Sequence, residues 1–113
     1  MRFALALAGL LLASPAFACS CMRPGPDTPK PQHLLLATVT DVATSSDGAS
    51  AVTTLKVIRN LIGRAEGTIR VRARTSSAGC GVRFRKGARQ LFALQRQGSG
   101  YTTNLCLMLQ AQQ

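Results

Sequence analysis

The sequence predicts an all-β domain, five short strands closing into a small barrel whose N-terminus is stapled by disulfides. Three observations point there. Alternating and β-branched runs recur between turn-rich segments, and no long amphipathic helix interrupts them. Four cysteines, Cys19, Cys21, Cys80 and Cys106, all follow a leader-like start. The length of 113 residues suits one domain with a modest core, the kind that exported proteins often brace with disulfides.

The chain opens with Met1-Arg2, then an apolar run from Phe3 to Leu12, a break at Ala13-Ser14-Pro15, and the small-x-small pattern Ala16-Phe17-Ala18. This is the layout of a secretory signal peptide over residues 1–18. The run is too short to span a bilayer, which takes roughly 20 apolar residues, and no other segment suggests a transmembrane span. Cleavage after Ala18 would leave a single domain over residues 19–113, secreted or periplasmic, beginning at Cys19. Cys19 and Cys21 are one residue apart and would close a badly strained ring together. Each is therefore expected to bridge to one of the distant pair, in either order.

From Met22 to Pro31 the prolines at 24, 26, 29 and 31 predict an extended connector. Leu34 to Val42 is the first predicted strand and ends in the turn Ser45-Ser46-Asp47-Gly48. Val52 to Ile58 is the second, and Asn60 to Gly67 reads as a loop. Thr68 to Arg74 gives the clearest signal. Ile69, Val71 and Ala73 alternate with Arg70, Arg72 and Arg74, so one face is buried and the other is an arginine row. Thr75 to Gly81 is small and polar and carries Cys80. Gln90 to Leu94 and Tyr101 to Leu105 complete the set, joined through Gln97-Gly98-Ser99-Gly100. Five antiparallel strands suit a closed barrel, because closure removes exposed edges.

The formal charge is +10, or +9 once Arg2 is removed with the leader. All four acids, Asp27, Asp41, Asp47 and Glu66, precede Gly67. Beyond it lie Arg70, Arg72, Arg74, Arg83, Arg85, Lys86, Arg89 and Arg96 with no carboxylate. Such a face attracts envelope polyanions or an acidic protein partner. Nucleic acid is not expected as a partner: Phe84, Phe92 and Tyr101 are the only rings after the leader for stacking, and export argues against it. An enzyme is not expected either. His33 is the sole histidine and reads as a solvated turn residue, and there is no metalloprotease His pair, nucleophile elbow or phosphate loop. No cofactor and no metal of its own is expected. A soft copper site from reduced Cys19 and Cys21 with Met22, Met108 and His33 would need thiols that an oxidising compartment removes. A lipid on Cys19 is a further option, for which Ala16 and Phe17 are poorly suited.

A chain starting at Cys19 would carry a free α-amine beside its own carbonyl oxygen, a pair able to form a five-membered chelate. Cys19-Ser20-Cys21 at that position resembles the opening of the tissue inhibitors of metalloproteinases. Ala37-Thr38-Val39, Leu55-Lys56-Val57-Ile58-Arg59 and Gly63 are similar to the first strands of that family's inhibitory module. Cys80-Gly81, Phe84, Gly87 and Leu91-Phe92-Ala93-Leu94 are similar to its middle, and Tyr101-Thr102-Thr103-Asn104-Leu105-Cys106 to its closing strand. The similarity covers nearly all of residues 19–113, in a bacterial-type short form. It implies a netrin-like Greek-key barrel of the OB-fold type and the bridges Cys19–Cys80 and Cys21–Cys106. It also implies inhibition of a zinc metalloprotease by the amine and carbonyl of Cys19. Ser20 would enter the pocket beside the metal, and Cys21, Met22, Ser77, Ala78 and Gly79 would form the surrounding ridge. The family's third disulfide and its C-terminal module have no counterpart here, and the proline-rich stretch after Cys21 differs from it. Seven residues follow Cys106, room for one short helix of about two turns.

Overall fold

A computed structural model of the chain describes residues 19–21, 26 and 30–112. The predicted leader, Met22 and most of the proline-rich connector lie outside the described residues. Five strands form a closed barrel: β1 (His33–Thr44), β2 (Ser50–Ile62), β3 (Thr68–Arg74), β4 (Arg89–Gln97) and β5 (Gly100–Thr102). A seven-residue helix, α1 (Leu105–Ala111), follows.

Around the barrel the order is β1-β2-β3-β5-β4. The all-antiparallel expectation is corrected at one seam: β3 and β5 run parallel, with Val71 opposite Tyr101 and Arg72 opposite Thr102. The reason is parity. The other four pairings are antiparallel, and a ring with an odd number of strands cannot alternate direction throughout. The first two strands are also longer than expected. β1 spans 12 residues because its first half pairs with β4 while its whole length pairs with β2. Three register shifts along β1 let it bend around the barrel. β2 runs through Asn60 to Ile62, so the loop predicted from residue 60 begins only at Gly63.

Inside the barrel, the inward residues of successive strands meet: Leu35 and Val39, Leu55, Ile69 and Val71, Phe92 and Leu94. Phe84, in the loop before β4, tilts against Phe92 with ring centroids 5.1 Å apart. β4 is covered on its other face too. Ala93 packs with Leu107 and Ala111 of α1, with Leu34 and Leu91 around them, which accounts for the unbroken apolar run Leu91–Leu94. The fifth strand stops at Thr102, three residues short of Leu105, where the sequence pattern carries it. Asn104 caps α1 instead, its side-chain oxygen accepting from the Leu107 amide at 2.8 Å.

His33 is not a solvated turn residue. It begins β1, sits half-buried with its ring edge-on to Tyr101 at 5.1 Å, and leaves Nδ1 buried without a hydrogen-bond partner. Gly63 makes room for it: a Cβ there would lie 2.5 Å from that nitrogen, and the residue has φ +79°.

Candidate functional site

The segment that the N-terminal cysteines bridge to is built around the end of β3. Thr75 is buried and fixed to the β1–β2 turn, its amide donating to the Ala49 carbonyl and its hydroxyl to the Gly48 carbonyl. The chain then makes one 3₁₀ turn at Ser77–Gly79, all three exposed, and Cys80 follows in the left-handed region at φ 63°. Gly81 returns beneath this turn. Its amide donates to the Ser76 carbonyl at 2.8 Å, and the Val82 amide donates to the Arg74 carbonyl at 2.8 Å. A Cβ on Gly81 would lie 2.4 Å from the Arg74 carbonyl oxygen, so only glycine lets the two segments approach this closely.

Both bridges are present: Cys19–Cys80 and Cys21–Cys106, with Cα separations of 5.0 and 5.2 Å. The first ties the N-terminal segment to the exposed turn. The second ties it to the first turn of α1, and the Leu105 amide donates to the Cys80 carbonyl at 2.8 Å, closing the circuit. The bridges lie side by side, with Cys19 Sγ 3.9 Å from Cys106 Sγ. Cys19 and Cys21 are half-buried while Ser20, between them, is exposed. Cys19, Ser20, Cys21, Ser77, Ala78 and Gly79 are thus gathered on one corner of the barrel; Met22 lies outside the described residues.

The soft copper arrangement is not assembled. No cysteine is free, and Met108 is buried in the core. Three of the bridging sulfurs, from Cys19, Cys80 and Cys106, lie within 4.8 Å of one another, but as disulfide atoms rather than thiolates. Among the described residues no helix is long and apolar enough to cross a membrane.

The seven residues of the predicted basic face divide into two groups. Arg70, Arg72 and Arg74 point outward from β3, all exposed. Arg85 and Lys86 line a different groove with Arg83, in the loop before β4, and Arg89 begins β4. Arg83 also donates from Nε to the Thr75 carbonyl at 3.2 Å, so it braces the exposed turn. Sequence reasoning did not find the structural roles of Thr75, Arg83 and Asn104. Only Asn104 gave a sequence signal, a capping residue ahead of an apolar run.

Comparison with known proteins finds no matching family model and no matching curated protein.

Proposed function

We propose that the protein inhibits a zinc metalloprotease by presenting the α-amine and carbonyl oxygen of Cys19 to the catalytic metal. The observation that carries this reading is the double tether. Cys19 is held to the exposed Ser77–Gly79 turn through Cys80, and Cys21 two residues on is held to α1. A catalytic zinc keeps one position open for water or substrate. A chelating pair already fixed in place replaces that water with little further loss of freedom. Ser20 is exposed between the two tethered cysteines, as a residue entering the pocket beside the metal must be. The reading requires removal of residues 1–18, so that the nitrogen of Cys19 is an amine and not an amide. It also takes the barrel as netrin-like, an OB-type Greek key, supported by the five-stranded closed ring and the two bridge pairings.

The test compares protein beginning at Cys19 with protein carrying one extra alanine before it, against a panel of zinc metalloproteases. The exact start should inhibit, and the extension should weaken inhibition at least about 100-fold, equivalent to about 2.7 kcal/mol. Inhibition should also weaken as pH falls below about 8, approaching tenfold per unit, because only the neutral amine donates to the metal. Equal potency of the two forms, or none from either, would overturn the proposal.

A further inference from the structure

The β3–β5 seam carries a second surface, one that does not depend on the inhibitory reading. Because β5 has only three residues, the outer side of β3 is bordered by a trough rather than by a long neighbouring strand. One part of the trough, a groove of about 440 Å³, lies between Arg70 and Arg72 and the β4–β5 turn at Gln97–Gly100. A second part, of about 410 Å³, lies between Arg72 and Arg74 and the segment Thr102–Asn104, and reaches Gly79 and Cys80 at the tethered corner. Arg72 belongs to both. The residues opposite the three arginines on β2 are Thr54, Val52 and Ser50, and the residue opposite Arg72 on β5 is Thr102, so no carboxylate stands beside them in register.

Alternate residues on a strand are about 6.7 Å apart, so the arginines form an evenly spaced row of cations about 13 Å long. Such a row fits a linear polymer with one anionic group per repeat. An extended phosphodiester backbone with a short carbon spacer places its charges at intervals comparable to this two-residue strand step. Nucleic acid shares this repeat but would also need places for its bases to stack. The trough does not supply them. Phe92 is fully buried, Phe84 packs against it, and Tyr101 is 8% exposed with the Arg96 guanidinium 5.7 Å above its ring.

We infer that the trough along β3 and β5 binds a base-free linear polyphosphodiester through Arg70, Arg72 and Arg74. The probe is poly(glycerol phosphate), titrated into the oxidised protein between about 50 and 200 mM salt. Replacing all three arginines by glutamine should reduce the slope of log affinity against log salt by about 2, since each phosphate contact on a flexible strand contributes roughly 0.7. Arg72→Gln alone should reduce it by about 0.7 and serves if the triple variant does not fold. A control variant, Arg85→Gln, Lys86→Gln and Arg89→Gln, removes equal charge elsewhere and should keep the wild-type slope. A thymidine oligonucleotide with the same number of phosphates should bind more weakly than the polymer. Equal losses in the two triple variants would show attraction by net charge alone. That result, tighter binding of the oligonucleotide, or no binding of the polymer would each overturn the inference.

Discussion

Two glycines beside the same disulfide have opposite consequences for substitution. Gly81 has the Arg74 carbonyl where a Cβ would go, whereas Gly79, two residues earlier, has nothing within 4 Å of that position. Gly81→Ala should therefore force the exposed turn away from β3 and cost roughly 2–4 kcal/mol. In a domain of this size that lowers the thermal midpoint by at least about 8 °C. Gly79→Ala should stay within about 0.5 kcal/mol of wild type. Thermal melts of the two variants make the comparison, and an equal response would refute the account of Gly81. The sequence shows Cys80-Gly81 as a pair but not why the second residue must be glycine, since the obstructing carbonyl comes from another element. His33 was obscured for a similar reason: its neighbours Tyr101 and Gly63 are distant in the chain.

Elements were legible where one periodicity ruled. Thr68–Arg74 alternates throughout and is β3 with the same bounds. The sequence pattern ends β4 three residues short, at Leu94, because Gln95 to Gln97 are polar, yet Gln95, Arg96 and Gln97 continue the ladder by pairing with β5. The last predicted strand failed at Thr103, whose hydroxyl donates to the Ala93 carbonyl at 2.7 Å and turns the chain toward α1. From there the apolar residues cover β4 instead of pairing beside it. α1 has only seven residues, too few to be stable without its cap and its packing. Asn104→Ala should cost about 1 kcal/mol, and amide exchange at Leu107 should accelerate accordingly. Unchanged exchange at that amide would mean that the Cys21–Cys106 bridge alone holds the helix. The site follows the same division: the cysteines and the arginine row were visible in the chain, while the trough, formed by a strand that stops early, was not.

At the scale of the molecule, ring closure with five strands requires a parallel seam, and that consequence was available from the strand count alone. The pairing of the cysteines was not: spacing left both orders open, the resemblance implied Cys19–Cys80 and Cys21–Cys106, and the structure has both. The bridges enclose separations of 61 and 85 residues, for which chain entropy gives about 4 kcal/mol each as an upper figure. Replacing Cys21 and Cys106 by alanine should lower unfolding free energy by about 2–4 kcal/mol in denaturant, while the single cooperative transition persists because the barrel core is untouched. A loss of cooperativity would show that the helix clamp is part of the core. The 3.9 Å contact between Cys19 and Cys106 sulfurs has a practical corollary for handling the protein. A small thiol that opens either bridge leaves a sulfhydryl anion beside an intact neighbour, and exchange can then pass from one pair to the other. Mild reductant should thus generate isobaric, mispaired forms rather than a cleanly half-reduced species. Batches of identical mass could then differ in crosslinking, and peptide mapping, not intact mass, would be the proper measure of quality.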